Sequence, residues 1–273
     1  MLFKGILPIG TALFGVVSIH AQVSFTGSYL EGFDSLGPTG ITLPLGWSAV
    51  RIGGSGTPGA GLTPGVTAGT ATGGGIYNTG SAGDSDRALG TLASASTVPA
   101  FGLQLRNETG SHVETVSLSG VMEQWRTGSS AVVDETVAFE YSLNAAGIGD
   151  NEASWIPLPG MSLEERLVFS TSAGAIDGNL PEHQLQLGGI VTGLDWADQG
   201  ILTVRWVDSD VTGSDGLYAL DNFALHAGIV PIPEPTTLGT FAVGLALLAL
   251  GRWSRRKVNL HRSKAVIDGG SQG

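Results

Sequence analysis

Apolar and polar residues alternate strictly from Thr136 to Leu143. Val137, Phe139, Tyr141 and Leu143 share one side, and Thr136, Ala138, Glu140 and Ser142 the other. Successive side chains of a strand point to opposite faces, so this period of two predicts a half-buried strand. Phe101, Leu103 and Leu105 against Gln104 and Arg106 repeat the pattern. So do Val116, Leu118 and Met122 around Gly120, and Leu202, Val204 and Trp206. Turn-rich stretches separate them: Asn107 to Gly110, Gly147 to Asp150 and Asp208 to Gly216. The best helical candidate between the ends of the chain, Ser162 to Ser170, is brief and reads equally well as a strand. Repeated short strands at this spacing predict an all-β domain over residues 22–230. It is expected to be an antiparallel β-sandwich of two packed sheets with jelly-roll-like connections.

Two segments break the alternation in the other direction, toward unbroken apolar runs. Leu238 to Leu250 carries no charge and consists mostly of good helix formers. A helix from Thr236 to Trp253 would be about 27 Å long, just under a hydrocarbon core of about 30 Å. Arg252, Arg255, Arg256 and Lys257 follow and would resist translocation, which puts the preceding domain outside the cytoplasm. At the other end, Lys4 precedes an apolar stretch from Gly5 to Ile19, and Ala21 offers a small residue for cleavage. Residues 1–21 therefore read as a signal peptide, giving a mature chain from Gln22.

Composition agrees with export and narrows the partners. Residues 22–230 hold six arginines, no lysine and twenty-two carboxylates. So acidic a region lacks the basic patches that nucleic acid requires, and no nucleic-acid partner is expected. With no cysteine in 273 residues, no disulfide or thiol chemistry is available and the domain must hold by its core. Glycines crowd residues 53–83 and large apolar groups are few there, which predicts a long surface loop. No lysine follows in phosphate-loop register.

The C-terminal order of Pro233-Glu234-Pro235, a short apolar helix and an arginine-rich cluster resembles the PEP-CTERM sorting signal of bacterial exported proteins. The resemblance covers residues 231–257. It implies an exosortase-like processing enzyme as partner and the membrane as a holding site through the C-terminal helix. The chain continues past the cluster where the family usually ends. Residues 258–273 are expected to be a disordered polar tail. Phrases within the exported region also look like a β-sandwich module carried by proteins with this tail. They include Gly80 to Gly90, Glu123-Gln-Trp-Arg126 and Arg205 to Asp210 with Asp221-Asn-Phe223. That likeness implies architecture only.

Candidate chemistry is sparse. Asp208, Asp210 and Asp215 in a glycine-containing loop could aim hard oxygens at a calcium ion, with Asp84 and Asp86 completing the set. The competing reading is turn chemistry, in which aspartates bond their own backbone. Trp47, Trp125, Trp155, Trp196 and Trp206 could form a sugar-stacking platform, although tryptophans at such positions more often complete a core. Arg87, Arg126 and Arg205 are expected to pair with carboxylates. His112, His183 and His226 show no metal spacing and no nucleophile elbow is present, so neither enzyme activity nor a required cofactor is expected. The expected role is a surface or matrix protein in a polysaccharide-rich layer. The alternative is a carbohydrate-binding module with calcium as a structural aid.

Overall fold

A computed structural model of the chain describes residues 22–167 and 172–228. The signal segment 1–21, the sorting segment 231–257 and the extension 258–273 lie outside the described residues. Among the described residues no helix is long and apolar enough to cross a membrane. Apart from single turns of 3-10 helix at Asp34–Leu36, Pro159–Met161 and Pro181–His183, the regular structure is strand.

In chain order the strands are β1 (Val23–Phe25), β2 (Ser28–Glu31), β3 (Trp47–Gly53), β4 (Gly65–Thr67) and β5 (Gly75–Thr79). Next come β6 (Ala88–Leu92), β7 (Val98–Asn107), β8 (Val113–Thr127), β9 (Thr136–Ser142) and β10 (Ile156–Pro157). The last five are β11 (Leu163–Glu164), β12 (Gly174–Ala175), β13 (Gln184–Trp196), β14 (Ile201–Val207) and β15 (Leu217–Ala227). They form two sheets. One runs β1-β7-β14-β9-β10, with β3 also on β7 and β11 also on β9. The other runs β12-β8-β15-β6-β5-β4, with β13 also on β8 and β2 also on β15. The long strands β6, β7, β8, β9, β13, β14 and β15 alternate between the sheets along the chain. Each crossing carries the chain over the sandwich, and the inward residues of these long strands build the core between the sheets.

The alternating strands of the sequence occupy the centre of this arrangement. Phe101, Leu103 and Leu105 of β7, Val137 and Phe139 of β9, and Leu202, Val204 and Trp206 of β14 are all buried. Val116, Leu118 and Met122 of β8 face them from the second sheet. Leu143, predicted to share the face of Val137, falls just beyond the end of β9 and is exposed. Trp206 is the hub of an aromatic cluster. It stacks on Phe101 at 5.4 Å and meets the edges of Phe139 at 4.8 Å and Phe223 at 5.4 Å. Its indole N–H donates to the Met161 carbonyl at 2.8 Å, which satisfies the one polar atom this ring brings inside. Phe33 packs edge-on against Trp47 at 4.8 Å with a left-handed backbone, φ 58°. That conformation is costly for a bulky residue, and full burial of its ring holds it in place.

The stretch 53–83 is not one long surface loop. It supplies β4 and β5 of the second sheet, with Ile76, Asn78 and Thr79 buried. Pairing and polar anchoring replace the missing apolar mass. β5 takes β6 and β4 as neighbours, and Asn78 donates to the carbonyls of Gly37 and Gly40, both at 2.9 Å. Asn78 also accepts from Arg87 Nε at 2.6 Å. The segment between β4 and β5 lies on the outer face of its sheet, where Ala71 and Tyr77 cover Trp125, Leu217 and Ala219.

Candidate functional site

The outer face of the first sheet carries the more elaborate of two polar constructions. β7 and β14 pair so that Gly102 stands opposite Arg205, and β9 brings Glu140 to the other side of the same arginine. A side chain at Gly102 would drive into the Val204 carbonyl, so the glycine leaves the face flat beneath the turn that crosses it. Arg205 binds Glu140 Oε1 through Nε at 2.7 Å and Nη2 at 2.6 Å. Its Nη1 donates to the Ile148 carbonyl at 2.7 Å, and its guanidinium lies 3.6 Å from the centroid of the Trp155 ring. Trp155 in turn donates its indole N–H to the Asp150 carbonyl at 2.7 Å. One arginine thus fastens the turn 144–155 to the sheet by charge, hydrogen bond and ring stacking.

Between that turn and β3 lies an open cleft of about 810 Å³. The segment 59–62 forms its far wall by pairing along β3, with the Arg51 amide donating to the Ala60 carbonyl and Leu62 to Ala49. Leu43, Val50 and Leu62 supply apolar walls, while Ser48 and Asp150 supply side-chain polar groups. The Ala146 amide donates to Asp150 Oδ2 at 2.9 Å and the Glu152 amide to Oδ1 at 3.0 Å. These amides hold the Asp150 carboxyl below the usual carboxylate range, so it is anionic at neutral pH.

The second construction sits at one end of the sandwich, where β14 gives way to β15. Asp208 is buried. Its Oδ2 accepts from the Thr91 hydroxyl at 2.8 Å and its Oδ1 from the Ser209 amide at 2.8 Å. Burial pushes its carboxyl up to about 7. Asp215 is also buried and is likewise pushed to about 7, by burial and then by the charges of Glu135, Asp210 and Asp208. Asp210 is exposed. The three aspartates singled out for calcium therefore do lie in one neighbourhood, but Asp208 already has partners on both oxygens. Among the described residues no group of three or more His, Asp or Glu is arranged to hold a metal ion. Asp84 and Asp86 belong elsewhere: the charges acting on Asp86 are Asp34, Asp84 and Arg87.

Glu135, Glu165 and Tyr218 complete this end, and nothing in their sequence spacing announced it. The Gly216 amide donates to Glu135 Oε2 at 2.7 Å and the Asp134 amide to Glu165 Oε2 at 3.2 Å. Burial raises both carboxyls above their usual range and does the same to the Tyr218 phenol. A further pair lies on the second sheet, where burial lifts Glu123 to about 8 and Asp221 to about 7.

The remaining sequence candidates divide clearly. Trp47, Trp125, Trp196 and Trp206 are buried and build cores, so they offer no stacking platform. Trp155 is partly exposed, but Arg205 lies over its ring. Arg205 pairs with a carboxylate as expected, whereas Arg87 does not. Its guanidinium is bound by the side chain and carbonyl of Asn78 and by the Ser81 carbonyl at 3.2 Å. Arg126 forms no ion pair with a described residue. Pro233, Glu234 and Pro235, with Arg252, Arg255, Arg256 and Lys257, lie outside the described residues.

No family model matches the chain, and no curated protein matches it. Solved structures do. The K3 cleaved adhesin domain of Lys-gingipain from Porphyromonas gingivalis W83 is 12% identical, with a TM-score of 0.40, over 72% of this chain and 98% of that one. The C-terminal family 22 carbohydrate-binding module of Clostridium thermocellum Xyn10B is 12% identical, with a TM-score of 0.38, over 76% and 96%. TmCBM61, solved with β-1,4-galactotriose, is 8% identical, with a TM-score of 0.36, over 72% and 94%. Likeness at this level identifies no ligand for the present chain.

Proposed function

We propose that this protein is an exported β-sandwich, jelly-roll-like in its connections, that is sorted to the cell surface by its C-terminal segment. The observation that carries the reading is the order Pro233-Glu234-Pro235, apolar run, Arg252 to Lys257. The last core strand ends at Ala227, so this segment follows the sandwich with only a short spacer. In this reading the apolar helix holds the protein in the membrane, with the basic cluster on the cytoplasmic side, until an exosortase-like enzyme processes the tail. The ectodomain contributes to an extracellular layer and has no enzymatic role. Replacing Glu234 with Ala in a host that has an exosortase, and following mass and fractionation, tests the sorting role. An unchanged mature form contradicts it.

A second reading gives the ectodomain a ligand, and the cleft over β3 favours it. A cleft of about 810 Å³ with apolar walls and one fixed carboxylate offers a carbohydrate a surface for its C–H face and an acceptor for its hydroxyls. Binding to extracellular polysaccharide would then hold the processed protein in its layer. A glycan array on the wild-type protein and on Asp150→Ala, with and without chelator, tests this. No glycan retained in any condition removes the reading.

A further inference from the structure

Buried polar groups in folded proteins are almost always hydrogen-bonded, and each exception calls for a physical cause. Among the described residues four buried side-chain atoms make no hydrogen bond of ordinary geometry: Glu135 Oε1, Glu165 Oε1, Asp215 Oδ1 and the Tyr218 hydroxyl, whose phenol approaches both glutamates. All four belong to the end of the sandwich where β14 passes to β15. Glu135 is 4% exposed, Glu165 5%, Asp215 6% and Tyr218 1%. They come from three separate stretches: the approach to β9, the exit from β11, and the β14–β15 connection with the start of β15.

The shortage is one of donors. Ionised carboxylates only accept, so three unpartnered carboxylate oxygens stand against a single phenolic O–H. The phenol can serve one of them. The other oxygens would be anionic acceptors buried without a protein donor, which is a costly arrangement. A proton on a carboxyl removes a charge and adds a donor at the same time. It cures both defects without moving any chain.

The surrounding charges do nothing to relieve the cluster. Asp134 precedes Glu135 and acts on both glutamates, and Asp208 and Asp210 act on Asp215 from their own loop. Arg126 of β8 borders the small hollow that Asp210 and Asp215 line, and exposed Arg166 follows Glu165. Neither arginine forms an ion pair with a described residue. A divalent cation would neutralise the carboxylates equally well and is the competing outcome in the test below; among the described residues no group of three or more His, Asp or Glu is arranged to hold one. A proton needs no ligand beyond the carboxyls themselves.

We propose that Glu135, Glu165 and Asp215, together with the Tyr218 hydroxyl, form a proton-operated latch at this end of the sandwich. Protonated, the cluster ties the approach to β9 and the β14–β15 connection to the core; as protons leave to solvent with rising pH, the tie loosens. The same carboxyls receive the backbone bonds that hold these segments, from the Gly216 amide to Glu135 and from the Asp134 amide to Glu165. Loosening therefore has a local readout. The direction agrees with burial raising each of these carboxyls above its usual range.

Amide hydrogen exchange of the full chain tests the latch. Protection at Asp134 and Gly216, corrected for the intrinsic pH dependence of exchange, should fall about tenfold or more between about pH 5.5 and about pH 8.5. Protection in the central strand β7 follows the global loss of stability over the same interval, so the latch is read as the fall at Asp134 and Gly216 that the double variant removes while β7 keeps its own. In the double variant Glu135→Gln, Glu165→Gln, whose amides carry donors and no charge, the fall should shrink to about threefold or less. Should that variant fail to fold, Glu165→Gln and Asp215→Asn singly should each reduce the fall. Protection that ignores pH in the wild type, or an undiminished fall in the variants, overturns the proposal. So does full restoration of protection by millimolar calcium at the higher pH, which would show that a cation holds the cluster.

Discussion

Removing the Asn78 side chain should cost far more than its position in a glycine-rich stretch suggests. Asn78 Oδ1 accepts from the buried Arg87 guanidinium at 2.6 Å, and its Nδ2 donates to the Gly37 and Gly40 carbonyls at 2.9 Å each. A hydrogen bond to a charged group contributes about 1.5–3 kcal/mol and each neutral one about 1 kcal/mol. Arg87 keeps the carbonyls of Asn78 and Ser81, so its charge is not wholly abandoned. Asn78→Ala should therefore lose about 3–4 kcal/mol. Urea unfolding followed by tryptophan fluorescence measures it, as a lower midpoint at unchanged slope. Asn78→Asp sharpens the test. It gives Arg87 a formal counter-ion but turns carboxylate oxygen toward two carbonyl oxygens, so it should fail to restore wild-type stability. A loss under about 1 kcal/mol in the alanine variant, or full stability in the aspartate variant, would refute this account of what orders the segment.

Further outcomes follow from other parts of the fold. Trp206→Ala should lose about 3–5 kcal/mol by emptying the aromatic hub, and Trp206→Phe distinctly less; equal losses would mean the ring stack is not what matters. Glu140→Ala leaves Arg205 without its carboxylate and should lose about 2–4 kcal/mol, with a change in Trp155 emission as the turn 144–155 loosens. Glu123 at about 8 and Asp208, Asp215 and Asp221 at about 7 all lie above their unfolded values. The folded state then holds the extra protons, so this stability is complete at acid pH and is lost as pH rises through about 7–8. Tm should be higher near about pH 5.5 than near about pH 8.5, and a Tm that climbs over this interval would contradict the assignment. Asn107 sits in an Asn-x-Thr sequon, but it is buried with its amide donating to the carbonyls of Ser111, Trp196 and Ala197. Expressed in a glycosylating host, the protein should carry no glycan at Asn107 by mass.

The strands that were legible from sequence are those whose two faces meet different surroundings. Val137 and Phe139 of β9, or Phe101, Leu103 and Leu105 of β7, face the opposite sheet while their neighbours face outward, and that difference writes a period of two into the chain. β4 and β5 carry no such record. They are ordered by partner strands and by Asn78, and a polar anchor has no periodicity to detect. The same limit applies to the acid cluster. Asp208, Asp210 and Asp215 advertise themselves by closeness in sequence, whereas Glu135, Glu165 and Tyr218 reach them only because β9, β11 and β15 end at one corner. Tryptophan was ambiguous for a related reason: a large ring serves a core or a ligand equally well, and only burial separates the two.

The amino-acid sequence by itself determined the class of the domain, its acidic and cysteine-free character and the order of segments that motivates export and sorting. Those are properties of composition and of neighbours along the chain. Tertiary structure alone decided that four of five candidate tryptophans are core, that Arg205 fastens a turn over an outer face, and that three buried carboxyls share one corner with a single phenol. Such features depend on residues scores of positions apart. Their energy comes from desolvation, which exists only once the sheets have closed over them.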